Sequence, residues 1–531
     1  MDNLLRLAWT FLAVLVVFGL VVIERGQGER RKWIGRALPL LIGIWAVLNV
    51  LFIVFLCFNH IRFPLHLDLM EGVILQHLRQ AMESKPIYPE PSPAYVALAY
   101  NPLYYVMSVP FARILGTALP TLRFVAILGM LGSTLMMFVI VREQTRSMGW
   151  GLVAAGLFAA AYSAMDAYLD TAHSDSWLIL SALLGSYILD RSRSRVWSSV
   201  GLLVLVASFW FKQHGAIFVL GGLVFLTLRD GIRSSIFYWG LALMAGPMLY
   251  IAGGNAIFGP RFHYFTWEVP RRWSELSLQT VRRLGAFVIL NYFILASAAV
   301  WYGFRVLVRT PQRLNIWQIQ LISAALSGLM GTLDIGSSNN VYIPLGTWII
   351  LAGTIGLFEF GKLVHVRRYG LHVAALVGAF AALLYNPATV LVPANAKASY
   401  RDMVAFLNTL DGPVYAPTLG QLQGDYAFYP AAHWVALEDM IRGPGKDTRN
   451  HPNTRWLLNP ALHPEGNAYI LANLPLNAYG WLAFLEDYYV LDEDLGERFA
   501  SLQGLPRRFD HGYPRYLYRY VGNGDLSSAS P

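Results

Sequence analysis

Apolar runs long enough to cross a lipid bilayer, or nearly so, recur along this chain at about 4–23, 36–58, 122–141, 150–168, 176–190, 196–211, 215–228, 236–253, 284–308, 316–335, 341–360 and 370–387. A hydrocarbon core of about 30 Å asks for about 20 apolar residues per helix, so the pattern predicts a polytopic α-helical membrane protein with about 12 transmembrane helices. Composition agrees: 56% of the 531 residues are hydrophobic and 14% are charged, at a mean hydropathy of +0.44. That excludes an ordinary water-soluble protein. The first run has little positive charge before it and no small-residue cleavage site after it, and it reads as a retained span rather than a signal peptide. The lone cysteine, Cys57, rules out an intrachain disulfide.

The loop from Glu24 to Arg36 carries Arg25, Arg30, Arg31, Lys32 and Arg36, and the positive-inside rule makes it cytoplasmic. The N-terminus and Asp68 then lie outside. Every second later loop is again basic, through Arg142, Arg191, Arg229, Arg305 and Lys362, provided that Pro102 to Gly116 does not fully cross. That segment, broken by Pro110 and Arg113, is expected to be re-entrant or interfacial. The outward loop from about Gly254 to Arg283 is an exception, with Arg261, Arg271, Arg272, Arg282 and Arg283. These arginines read either as headgroup anchors or as a phosphate site. The net charge of +9 is mostly this arrangement and makes no case for nucleic acid.

Polar residues collect at the outer ends of different spans. Asp68 and Glu71 follow the second run. Asp166, Asp170, His173 and Asp175 lie between the fourth and fifth. Lys212, Gln213 and His214 separate two short runs that together would make a helix of about 50 Å, and so predict a hairpin. Asp334, Ser337, Ser338, Asn339 and Asn340 fill another outward turn. Ionisable groups near membrane depth are costly and point to a shared functional cavity. Each also has a structural reading: Asp68 with Glu71 as a capping box opening a helix from about Leu69 to Glu83, His173 with Asp175 as a loop pair, Lys212 as a snorkelling or paired cation, and Tyr100, Tyr104 and Tyr105 as an interface belt.

After about Pro387 the spans stop. Residues 388–531 read as a small extracytoplasmic α/β or α+β domain with short apolar or alternating segments near Val414 to Ala416, Trp434 to Leu437, Tyr469 to Leu471, Tyr488 to Leu491 and Tyr516 to Val521. A helix is predicted from Ser399 to Leu410, and a disordered tail from Gly522 to Pro531. The chain thus divides into an extra N-terminal span with its basic loop (1–35), a membrane module (36–387) with an outward loop at 59–121, and the C-terminal domain. No phosphate-binding loop or zinc spacing is legible.

The order of these features resembles the GT-C superfamily of polytopic glycosyltransferases, whose relatives include the protein O-mannosyltransferases and the lipid A aminoarabinose transferases. Asp68-Leu69-Met70-Glu71-Gly72 stands for the acidic motif of the first outward loop, Lys85-Pro86-Ile87-Tyr88-Pro89 for the gap segment, and Tyr100-Asn101-Pro102-Leu103-Tyr104-Tyr105 for the proline motif. Thr171 to Ser176 and Lys212-Gln213-His214 match later outward polar positions. The likeness covers about residues 36 to 350. It departs where the acids stand three apart instead of adjacent and where Asn101 replaces the first proline, which leaves open which acid is the base.

The resemblance implies an inverting transfer of a sugar from a polyprenyl-phosphate-linked donor to a glycan, lipid or protein acceptor of the cell envelope. An acceptor hydroxyl is a weak nucleophile, so a carboxylate must take its proton, while the departing phosphate needs mainly positive charge. On this reading Asp68 is the general base and Glu71 orients the acceptor or shares the proton. Lys212, His214, Lys85, Arg271 and Arg272 are expected to hold the donor phosphate. Asp166, His173, Asp175, Tyr100, Asn101, Tyr104, Asn339 and Asn340 are expected to bind sugar or acceptor. Carboxylate and phosphate oxygens suit Mg²⁺ or Mn²⁺, but no complete ligand set is legible and metal-independent transfer is expected. The absence of eukaryotic retention signals and of disulfides in the outer loops suggests a bacterial inner membrane. The competing class is a secondary transporter or lipid-linked sugar flippase, which would also have many spans and buried charges, although no internal repeat supports it. A non-catalytic assembly or receptor protein would not explain the polar loops.

Overall fold

The computed structural model describes residues 10–13, 15, 30–309, 315–334, 336–363, 369–417, 419, 428–442, 457, 464, 466–478, 482–503 and 514–522. Most of the first apolar run, the basic residues Arg25, Arg313, Arg367 and Arg368, and the tail beyond Gly522 lie outside them. Each of the other eleven runs falls on a helix: Arg30–Ile61, Leu119–Thr145, Met148–Ala160, Asp175–Arg191, Arg195–Phe211, Gly215–Asp230, the continuous stretch Ile232–Phe258, Leu278–Arg309, Ile316–Thr332, Ile343–Leu363 and Tyr369–Ala382. Among the described residues five helices are long and apolar enough to cross a membrane by themselves, and the chain is a multi-pass membrane protein.

Burial sorts the long helices. Asn339–Lys362 is buried over 94% of its most apolar window, against 22% for Leu278–Val308 and 28% for Ala37–Ile61. The first is the axis of the bundle, and the other two turn most of their apolar surface outward, as lipid permits. Small residues allow the close approach. A Cβ on Gly353 or Gly356 would run into the carbonyls of Leu295 and Ala298 on Leu278–Arg309, and one on Gly156 would strike Ala46. Thr347 and Thr354 on the axial helix return their hydroxyls to the Ile343 and Ile350 carbonyls, so these two buried hydroxyls are satisfied within the helix.

The segment from 59 to 121 folds into two short helices. Glu71–Met82 buries the run from Glu71 to Leu78. It starts two residues later than expected, and Met70 at its N-cap makes no side-chain cap bond, so Asp68 and Glu71 do not form a capping box. Leu103–Leu115 has 13 residues. That is about 20 Å of helix, short of a hydrocarbon core of about 30 Å.

The C-terminal region carries a four-stranded sheet of order β1-β2-β4-β3, with β1 Val414–Tyr415, β2 Tyr469–Ala472, β3 Tyr489–Asp494 and β4 Tyr516–Tyr520. β1 and β2 are parallel; β4 runs antiparallel to both β2 and β3. Four of the five short segments singled out in the sequence are strands. The fifth is a helix, Trp434–Ile441, in which His433 accepts the Val435 amide and Trp434, Val435, Ala436, Leu437 and Ile441 are buried. A run of four apolar residues does not by itself separate a strand from a helix. The helix expected from Ser399 forms as Ala396–Leu407, with no side-chain cap at Asn395.

Candidate active site

The loop at Asp68 is held from behind by a buried charge. Arg123, in the first turns of Leu119–Thr145, places its guanidinium against Glu71 and donates to the carbonyls of His60, Phe63 and Leu65. Glu71 also accepts the amides of Leu67 and Ala172 at 2.6 and 2.8 Å. Burial pushes the Glu71 carboxyl up, but Arg123 and the two amides outweigh it and keep it below the usual carboxylate range. Asp68 is 6% exposed, and its Oδ1 accepts the Met70 amide at 3.0 Å, the local turn geometry of an aspartate.

Asp170 pairs with His60 at 2.6 Å and accepts the Tyr162 hydroxyl at 2.6 Å. Asp175, the first residue of its helix, lies 2.8 Å from Lys212 Nζ and 2.5 Å from His173 Nδ1. Burial raises its carboxyl, yet Lys212 and His173 hold it well below the ordinary range. His214 is pushed down to about 4, first by burial and then by Lys212, so near neutrality it is a neutral hydrogen-bonding group rather than a cation. The tip of the predicted hairpin is therefore one buried cation, already facing one carboxylate, beside a neutral imidazole.

These loops converge on a cavity of about 700 Å³. Tyr100, Lys212, His214, Arg271 and Asn340 line it, together with Tyr168 and Ser338. The Tyr100 ring lies 5.3 Å from Lys212 Nζ and is edge-on to His173 at 5.3 Å. The opposite wall comes from the C-terminal region: Trp434, Glu438, Asp439 and Arg442 from the helix Trp434–Ile441 and its end. Arg442 bonds Asp439 at 2.8 Å, lies 3.7 Å from Asp334 and covers the Trp273 ring at 4.3 Å, while the Trp273 indole donates to the Asp439 carbonyl. Burial, with Asp334 and Glu438 adding to it, outweighs Arg442 and pushes Asp439 up to about 7. Among the described residues no group of three or more His, Cys, Asp or Glu side chains is placed to hold a metal ion.

No protein-family model matches the sequence, and no curated protein matches it. The structure matches ArnT from Cupriavidus metallidurans in the apo state, at 12% identity and a TM-score of 0.51, over 92% of this chain and 99% of that one. The chain shares its fold with that ArnT structure. ArnT from the same organism bound to undecaprenyl phosphate matches at 13% identity and 0.47, over 92% and 99% of the two chains. The Archaeoglobus fulgidus oligosaccharyltransferase in complex with Zn and sulfate matches at 12% identity and 0.45, over 87% and 69%.

The expected site residues separate into four groups. Tyr100, Lys212, His214, Arg271 and Asn340 face the cavity; Asp68, Glu71, His173 and Asp175 lie just behind its wall. Asn101, Tyr104, Asp166 and Asn339 are engaged in the scaffold: Asn101 donates to the Phe209 carbonyl, Tyr104 to the Leu122 carbonyl, and Asp166 accepts the Asn339 amide at 2.6 Å. Lys85 and Arg272 are not part of the wall, and pair with Glu83 and Glu268. Sequence reasoning passed over Arg123, Tyr168 and the wall from Trp434 to Arg442. Arg123 did leave a signal, an arginine inside an apolar run.

Proposed function

We propose that this protein is an inverting glycosyltransferase that moves a sugar from a polyprenyl-phosphate-linked donor to a cell-envelope acceptor, at the extracytoplasmic face of a bacterial inner membrane. The observation that carries the reading is the cavity, where Lys212, His214 and Arg271 share one space with the loop of Asp68 and with a wall from the C-terminal region. The fold shared with ArnT and the motif order support it. On this reading residues 36–387 are the catalytic module with its share of about 12 spans, and 388–531 are an extracytoplasmic domain that roofs the site.

In the proposed reaction the acceptor oxygen bonds to the anomeric carbon as the bond from that carbon to the phosphate oxygen breaks. The acceptor proton passes to the Asp68 carboxylate, and the phosphate leaves with the electron pair. Lys212 and Arg271 meet the charge that develops on the phosphate, and neutral His214 donates a hydrogen bond to it. Asp175 fixes the Lys212 amine in place, and Glu71 orients the Asp68 loop through Arg123. Tyr100 and Asn340 contact sugar or acceptor from the wall, while His173, Asp166 and Asn339 set the loops that carry them.

Transfer of radiolabelled sugar from polyprenyl-phosphate donors to a cell-envelope extract, by purified protein and an equally folded Asp68→Asn variant, tests this. Transfer lost in the variant is the expected result. Equal transfer moves the base to another acid. No transfer with any donor, alongside flipping in proteoliposomes, leaves the transporter reading.

A further inference from the structure

Gln213 stands between Lys212 and His214 at the tip of the hairpin, and like them it lines the cavity. Its carboxamide nitrogen donates twice, to the Ala99 carbonyl at 2.8 Å and to the Thr266 carbonyl at 3.1 Å. Both N–H groups are thereby spent, one on the stretch that leads into Tyr100 and the other on the loop that carries Arg271. The same two bonds fix the orientation of the amide, because a turned amide would set its oxygen against two carbonyl oxygens. The backbone beneath is held as well: the Lys212 and Gln213 carbonyls accept the amides of Gly215 and Ala216 at 2.8 and 3.1 Å. Among the described residues none donates to Gln213 Oε1. What the Gln213 side chain offers the cavity is therefore an acceptor and nothing else.

We propose that Gln213 is a specificity-determining residue for the donor sugar: its Oε1 accepts a hydrogen bond from the hydroxyl on the ring carbon next to the anomeric one. The inference rests on the glycosyltransferase reading, in which the residues immediately before and after Gln213 hold the donor phosphate. An amide oxygen repels phosphate oxygens, so between Lys212 and His214 it has to meet a hydrogen-bond donor on the group that the phosphate carries. Counting from the phosphate-bearing carbon, that hydroxyl is the first such group on the ring. A sugar with hydrogen in its place leaves the oxygen with nothing to accept, and one with fluorine there brings a second acceptor against it. An amino or acylamino group at the same position still supplies an N–H and is accepted. Gln213 takes no part in the proton transfer, and its contact is made before reaction begins, so it selects at binding.

The test uses the full chain in nanodiscs and measures, without acceptor, how well unlabelled donors displace a radiolabelled undecaprenyl-phosphate sugar that the protein transfers. The competitors are that same donor, its 2-deoxy analogue and its 2-deoxy-2-fluoro analogue. Wild-type protein is expected to bind both analogues about fivefold more weakly than the parent, the loss of one hydrogen bond to a neutral acceptor. In Gln213→Met, which keeps the length of the side chain and removes the amide, the three should compete within about twofold of one another. Only ratios within one protein are compared, so a general loosening of the loops that Gln213 ties together cancels. Wild-type protein that binds the 2-deoxy donor as tightly as the parent overturns the inference, and so does a preference that persists in Gln213→Met. Should Gln213→Met lose its fold, the wild-type protein still decides, since a fluoro donor that binds as the parent does is enough to overturn it. Wild-type protein that neither binds nor transfers any polyprenyl-phosphate sugar removes the glycosyltransferase reading itself, whereas transfer without this preference removes the inference alone.

Discussion

Arg123 and Glu71 form an ion pair buried on both sides, with Nε 3.0 Å from Oε1 and Nη2 2.5 Å from Oε2. It joins the helix Leu119–Thr145 to the Asp68 loop and, through the Ala172 amide, to the loop of His173. Removing one member of a buried pair strands the other, at a cost of about 3–5 kcal/mol. Arg123→Met is expected to destabilise the detergent-solubilised protein by an amount in that range, read as a lowered thermal midpoint. Arg123→Met with Glu71→Gln should recover part of the loss, and a double variant that melts no higher than the single would show that the pair is not what fails.

Asp439 gives the stability a pH dependence. Its carboxyl is raised in the folded protein from an ordinary 3.8 to about 7, so between those values the folded state holds a proton that the unfolded chain has released. Stability from this group is therefore present below about pH 4 and is lost as the pH rises through about 7. The change across the window is on the order of a few kcal/mol. Melting curves taken from pH 4 to 8 should show the decline, and Asp439→Asn should flatten it.

Gly336 is exposed, yet it has no room for a side chain, because a Cβ there would overlap the Arg442 guanidinium. Gly336→Ala is expected to push Arg442 off Trp273 and away from Asp334 and Asp439, costing about 1–2 kcal/mol. In an Arg442→Ala background the same substitution should cost almost nothing. Additive losses in the two backgrounds would disconnect the glycine from the arginine.

Asp175, the carboxylate best placed to serve a cation near the proposed phosphate site, is already engaged by Lys212 and His173. Transfer activity is accordingly expected to survive chelation with EDTA and to gain nothing from added Mg²⁺ or Mn²⁺. Loss on chelation, restored by one of these ions, would mean that Lys212 gives way to a metal.

Helices were legible because the signal for them is local: apolar length alone placed the eleven described runs. The convergence of Lys212 with Asp175 and His173 could also be anticipated, since charges that survive near membrane depth need partners and these were the ones on offer. The sequence marked Arg123 as a charge inside an apolar run but not as the partner of Glu71, because the two stand 52 positions apart and only packing brings them together. Asn101, Tyr104 and Asn339 were singled out for their polarity, and in the fold they donate to the Phe209 carbonyl, the Leu122 carbonyl and Asp166. The helix Trp434–Ile441 was hidden by its brevity, and with it the cavity's second wall.

That second wall sets an order on the making of the protein. Its membrane helices can leave the translocation machinery one after another, but Trp434, Glu438, Asp439 and Arg442 are synthesised after the last of them, Tyr369–Ala382. Until that late stretch has emerged and docked on Trp273, the enclosure does not exist. A newborn chain therefore presents Tyr100, Lys212 and His214 without the wall that faces them in the finished protein.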